Sequence, residues 1–293
     1  MTSDRSTGVS SPAQRLALGL VYTLLVAFSI LTLVPFVWMI CAAFKSGDDF
    51  FSSLFLPRGD GFLGIGWDRL SLANFHRLFT DLGVGNALLN SVFLASTTAL
   101  LATTGSAMGG YALAKFQFPG RRFTTDLVLW VLVIPGPLLL APGYQLTYQL
   151  GLLDTYTGLI LPAIAPAFGV FLFRQAMINS VPDALLESAR LDGAGEVRIF
   201  VEVVLPLVRP MIGAFLMITF LGTWNNFIMP QIILQSPEMF PLSVAINQLR
   251  GLYGTDYGLI MAGTLVSVAP VLLLFLLLQK EFIAGLTAGA VKG

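Results

Sequence analysis

Charge is what this chain has least of. Aspartate, glutamate, lysine and arginine make up 11 % of its 293 residues, where a soluble domain typically carries about 25 %. With 56 % hydrophobic residues and a mean hydropathy of +0.81, the chain can bury its apolar surface only in a lipid bilayer. Its 16 basic and 16 acidic residues cancel, so nothing points to nucleic acid as a partner. The single cysteine, Cys41, excludes an internal disulfide framework and a cysteine-rich metal centre. The single histidine, His76, sits among Asn74, Phe75 and Arg77 with no other ligand candidate beside it. No metal site is expected. A membrane enzyme acting on lipids would need a His, Ser or carboxylate constellation that this chain does not offer.

Ionisable residues are also scarce inside the apolar runs, where Asp126 stands alone. Intramembrane charges usually mark ion pathways, so their scarcity argues against an ion-coupled secondary carrier of a small polar solute, the main alternative reading. Such a carrier would also want broken helices in corresponding positions of two halves. Asp126 follows Arg121 and Arg122 by five and four residues, and pairing with those arginines at the membrane interface is expected.

What is present is a series of long apolar runs. A hydrocarbon core of about 30 Å needs about 20 residues of helix. Six segments qualify: 16–44, 87–114, 125–141, 157–173, 207–230 and 257–278. The first is too long for a signal peptide's apolar core of about 7–15 residues, so a retained anchor is expected after a polar tail over 1–15. Pro135, Pro137 and Pro142 punctuate the third run, and Pro162 and Pro166 the fourth. Proline removes a backbone donor, so both should kink or break. Gly105 and Gly109 form a small-xxx-small pair that lets helices approach closely, either within the subunit or against another membrane subunit.

Lysine and arginine set the orientation. With the N-terminus inside, eleven of them fall inside and five outside. Both termini, the 174–206 loop and the tail 281–293 are then cytoplasmic. The 45–86 loop lies outside, too short for a separate domain, and residues 87–280 form the core.

The 180–206 loop is polar and helix-forming, although it lies between two apolar runs. Ser180 can cap, Pro182 fits a first turn, and Asp183 complements the positive helix end. Arg190 follows Glu187 by three residues, a spacing at which the two can pair. Gly193 falls where the chain must leave the helix. A second short helix over 196–204 should stop at Pro206. So short a helix is marginal alone in water and needs either the membrane helices or another protein to hold it. Ser188 and Ala189 are small enough for a close fit, and Asp183, Glu187 and Asp192 offer charge to a basic groove. An ordinary amphipathic connector would show the same pattern.

Glu187-x-Ala189-x3-Gly193-x9-Val203-x-Leu205-Pro206 resembles the EAA loop of binding-protein-dependent ABC importer permeases, with Ser188 where the family usually has Ala and Val203 where it usually has Ile. Further segments resemble the carbohydrate-type subgroup, and specifically the maltose-type second permease. They are Gly110-Tyr111-Ala112-Leu113-Ala114-Lys115-Phe116 followed by Phe118-Pro119-Gly120-Arg121-Arg122, Thr223-Trp224-Asn225-Asn226-Phe227, Tyr253-Gly254-Thr255-Asp256-Tyr257-Gly258 and the tail from Gly285 to Gly293. The resemblance implies an all-α membrane protein with six transmembrane helices, a type I ABC importer permease fold and a cytoplasmic coupling helix. It also implies a bacterial inner membrane, a second permease (as a heterodimer), two copies of a cytoplasmic ATPase, an external solute-binding protein and a sugar as cargo. Asp183, Glu187, Ser188, Ala189, Asp192, Gly193, Leu205 and Pro206 would carry the ATPase coupling. The sequence holds no Gly-rich phosphate loop ending in Lys and Ser/Thr, so no cofactor is expected on this chain, and ATP and Mg would be used by the partner. For the cargo path, Trp224, Asn225, Asn226 and Gln231 cluster in the outer half of the fifth run, where an aromatic face beside amides could stack on a sugar ring. Asn90, Tyr144 and Gln145 are weaker candidates.

Overall fold

In the computed structural model, residues 12–249 and 256–288 are described. Most of the 1–15 tail, Arg250, Tyr253-Gly254-Thr255 and the end of the tail motif from Gly289 lie outside the described residues. Among the described residues the chain is helical, with only two isolated bridges, Lys45 with Leu70 and Arg58 with Ile65. It divides into two compact units, 12–77 with 256–265 and 78–249 with 266–288.

The first unit begins with α1 (Pro12–Ala43), which takes up the last residues of the expected tail. The segment that follows is folded. Lys45 is almost fully buried, and its ammonium donates to the Ser53 carbonyl at 2.6 Å. Burial pushes its pKa down. Asp49 pairs with Arg69. The amide of Asn74, on α2 (Ala73–Thr80), donates to the carbonyls of Ala43 and Lys45 at 2.9 Å each. Arg77 pairs with Asp256 at 2.7 Å, and Phe50 stacks on Tyr257. The expected outer loop is therefore ordered over much of its length by polar and aromatic ties.

In the second unit α3 (Val84–Lys115) runs 32 residues. Next come α4 (Arg121–Val133) and α5 (Leu140–Gln149), which meet at a 102° bend. Pro135 lies at the bend, and the residue before it, Ile134, is extended, as proline requires. Thirteen residues of α4 reach only about 20 Å, so the third apolar run is broken rather than straight. The fourth differs. α6 (Tyr156–Ile160) and α7 (Ala167–Ser180) join through a 3-10 turn at Leu161–Ala163 into one 25-residue stretch. Pro162 sits in the first turn of that element, where its missing N–H is not needed.

The rest of the unit comprises α8 (Asp183–Leu191), α9 (Glu196–Ile199), α10 (Leu205–Leu207), α11 (Arg209–Trp224), α12 (Ile228–Ile233) and α13 (Leu242–Gln248), and α14 (Tyr257–Ala288) closes the chain. The last helix continues past Lys280, where a tail was expected. Four helices among the described residues are long and apolar enough to cross a membrane, or six if each bent pair counts as one span.

Glycine sets the seam of the second unit. A Cβ on Gly105 would lie 2.3 Å from the Ile164 carbonyl oxygen, and one on Gly110 would lie 2.6 Å from Phe173 Cβ. The small-residue stripe therefore packs α3 against its own α7 segment, within the subunit. Phe173 and Phe215 meet edge to face beside it, 5.6 Å apart.

Candidate functional site: the hook beyond α7 and the cavity at the other end of α3

Pro182 cannot extend α7, so the chain turns there into α8. The buried side chain of α8 is Leu186, which enters a core of Phe173, Met177, Val181, Ile199 and Val204. α8 ends in a Schellman motif. The Gly193 N–H donates to the Arg190 carbonyl and the Ala194 N–H to the Ala189 carbonyl, both at 3.0 Å. Gly193 has φ +82°, and nothing lies within 4 Å of where its Cβ would be. Backbone conformation, not room, is what asks for glycine here.

The turn at Gly193 brings Glu196 back to α8. Arg190 Nε donates to its carboxylate at 2.6 Å, and the Tyr111 hydroxyl of α3 meets the other oxygen at 3.2 Å. Lys115, one turn further along α3, donates to the Val181 carbonyl and to Asp183, both at 2.6 Å. Its side chain is 6 % exposed. The Lys115 ammonium holds the Asp183 carboxyl below the usual carboxylate range. Two tethers thus fasten this hook to the C-terminal end of α3. The opposite side of the hook is bare. Leu191 is 90 % exposed and Val197 78 %, with Leu185 and Val201 also exposed. Beyond α9 the helix widens into a π turn at Phe200–Val204, because Pro206 lacks a donor and its ring crowds the carbonyl four residues back. The helix ends at Leu207, and the chain swings 82° into α11.

At the other end of α3, the Asn90 amide donates to the carbonyls of Glu238 (2.8 Å) and Phe240 (3.1 Å), and Ser91 accepts the Leu242 N–H at 2.7 Å. A cavity of about 220 Å³ opens beside them. Ser91, Thr98, Thr223 and Asn226 supply its polar lining, and no charged residue among the described ones lines it.

A family model, the binding-protein-dependent transport system inner membrane component, matches residues 6–282. The chain belongs to this family. The permease is 41 % identical over 225 residues to an arabinooligosaccharides transport system permease protein of Halalkalibacterium halodurans, covering 76 % of this chain and 80 % of the relative. It is 33 % identical over 276 residues to a diacetylchitobiose uptake system permease protein of Streptomyces coelicolor, covering 92 % and 88 %. Among solved structures it superposes on a chain of a bacterial ABC transporter involved in the import of the acidic polysaccharide alginate. The TM-score is 0.80 at 21 % identity, covering 94 % of this chain and 100 % of the other. The fold is that of a type I importer permease, a multi-pass inner-membrane protein and transport component.

Several residues of the permease sit elsewhere than the sequence suggested. Ser180 ends α7 and caps nothing, and the N-cap position of α8 is Pro182. Arg190 pairs with Glu196, not Glu187. Asp126 forms no ion pair among the described residues. Arg121 instead donates to the carbonyls of Leu113 and Ala114. The helix through 196–204 passes Pro206 before it stops. Ala189 and Leu205 pack toward the core, whereas Asp183, Glu187, Ser188, Asp192, Gly193 and Pro206 are exposed. Trp224 is 6 % exposed and stacks on Phe220, 5.5 Å away at 15°. It is no open platform. Asn225 turns back on the Leu221 carbonyl. Tyr144, Gln145 and Gln231 are exposed. Asn226 is the only one of the expected cargo residues that lines the cavity.

Proposed function

We propose that this permease is one half of the membrane path of an ATP-driven sugar importer, and that the 183–206 hook receives the stroke of a separate ATPase. The observation that carries the reading is the hook's bare apolar side. Leu191 and Val197 stand almost fully exposed on a polar element, where an apolar patch marks a partner's seat. The excess of lysine and arginine supports a cytoplasmic hook and cytoplasmic termini. In this reading two ATPase copies bind and hydrolyse ATP with Mg, one beneath this chain and one beneath a distinct second permease. An external binding protein delivers the cargo, in keeping with the family's description.

The stroke has a physical route. Tyr111 and Lys115 tie the hook to α3, and Asn90 and Ser91 lie about 30 Å away along the same helix, beside the cavity. A rigid helix with close glycine contacts moves as one body. The cavity's lining of hydroxyls and one amide suits a neutral oligosaccharide. Cargoes of that class appear in the relatives' names.

Co-purification tests the reading. Leu191→Asp combined with Val197→Asp is expected to release the ATPase while the permease still reaches the membrane. Retention of the ATPase at the level of the unsubstituted complex would overturn it.

A further inference from the structure

A second pocket, about 890 Å³, lies where the C-terminal end of α3, the start of α4 and the middle of α7 meet. Its polar lining is Gln117, Arg121, Arg122, Thr125, Asp126 and Arg174. Three arginines and a single carboxylate therefore line it. Arg121 spends two of its nitrogens on the carbonyls of Leu113 and Ala114. Arg174 has its Nε buried with no hydrogen-bond partner. Buried polar groups are rarely left so. Arg122 and Asp126 form no ion pair among the described residues. The first turn of α4 opens into the same space. It follows Gly120 at φ +87°, has no side-chain cap and contains no acid; the Arg121 N–H is spent on the Phe118 carbonyl, and the N–H groups of Arg122 and Phe123 add a further positive end.

We propose that this pocket binds the phosphate headgroup of an anionic phospholipid in the cytoplasmic leaflet. The leaflet follows from the orientation given under the proposed function. Basic pockets between membrane helices on that side suit such headgroups, and guanidinium forks match phosphate oxygens in pairs. A lipid fits better than free phosphate because of what adjoins the arginines. Phe123, Leu127 and Trp130, spaced i, i+4, i+7, are all exposed and form one apolar stripe along α4. An acyl chain can follow that stripe while its phosphate stays with Arg122 and Arg174.

The test uses the whole importer, reconstituted in nanodiscs of mixed phosphatidylglycerol and phosphatidylcholine. Lipid retained through extraction is counted by native mass spectrometry. The unsubstituted complex is expected to keep phosphatidylglycerol preferentially. Arg122→Gln with Arg174→Gln should cut that preference roughly thirtyfold, given an attraction to anionic lipid of about 1 kcal/mol for each basic residue, and Arg174→Lys should keep most of it. Millimolar inorganic phosphate should not displace the lipid. As an arm independent of folding in the variants, a photoactivatable phosphatidylglycerol should label residues 117–130 of the unsubstituted chain, with phosphatidylglycerol and not phosphatidylcholine competing. An unchanged preference in the double variant, displacement by phosphate alone, labelling insensitive to headgroup charge, or an acidic side chain of the second permease cross-linked to Arg174 would each overturn the proposal. Lipid retention reads the pocket whichever leaflet it faces. The ATPase pull-down reads the hook, so the two failures can be told apart.

Discussion

At its C-terminal end α3 grips its neighbours with charge: Lys115 on Asp183 and the Val181 carbonyl, and Tyr111 on the Glu196 carboxylate that Arg190 also holds. At its N-terminal end the same helix grips with an amide and a hydroxyl, Asn90 and Ser91, on the backbone around 238–242. The middle, between the two, is a seam of glycines pressed on α7. The difference suits what each end must do. A charge-assisted bond is shorter and stronger than a neutral one, which would serve the proposed joint to an ATPase. A neutral lining leaves no fixed charge beside the cavity that we propose takes hydroxyl-rich cargo.

The two ends lose their connection most completely if the seam between them is forced open. Gly110→Val puts carbon where Phe173 Cβ and the Arg174 backbone already sit. A destabilisation of about 3 kcal/mol or more is expected, read as a lower thermal midpoint of the purified permease. Cutting the charged joint should have the next largest effect. Lys115→Met leaves the Val181 carbonyl without its donor, and transport should fall by roughly tenfold, the scale of one lost hydrogen bond to a charged group. Membrane insertion should persist. Asn90→Ala at the neutral end should lower uptake but leave ATPase co-purification intact, which separates the two ends.

Smaller effects sharpen the picture of the hook itself. Gly193→Ala meets no atom but must hold a left-handed backbone, a strain of about 1 kcal/mol. Hydrogen exchange over 186–194 should rise, with little change elsewhere. The smallest effect is a pH response. Asp183 is held below the usual carboxylate range by Lys115, so this tether stabilises fully above that range and is lost as pH falls through the lowered value. Exchange over α8 should stay flat down to about pH 5 and rise only below about pH 4. Asp183→Asn should remove the Lys115 part of the acid-side change and leave the part due to Glu196, whose carboxyl the hydrogen bond from Arg190 also holds below its usual range.

Local chemistry made the hook legible in the sequence. Pro182, Asp183 and Gly193 each act on their own backbone, and the two short helices lie where those residues put them. The tethers were not legible as tethers, because Tyr111 and Lys115 sit 85 and 68 residues from their partners and no periodicity spans that gap. The Glu187–Arg190 spacing misled for a related reason. The Gly193 turn presents Glu196 to Arg190 at better geometry than a helix-surface neighbour can. Prolines gave away the break in the third apolar run, but hydropathy carries no direction, and the 102° turn was not legible. Trp224 is a case where a local signal was available: Phe220 precedes it by four residues, a spacing at which aromatic rings on a helix meet.

Whether the bare side of the hook is a cytoplasmic seat for a motor can be read from one residue. With Cys41→Ser as background, Leu191→Cys provides a single thiol on the most exposed part of the hook. A membrane-impermeant maleimide should label it in inside-out vesicles and not in right-side-out ones, and bound ATPase should block the reaction. Labelling from the outside, or labelling that the ATPase leaves unchanged, would contradict the account.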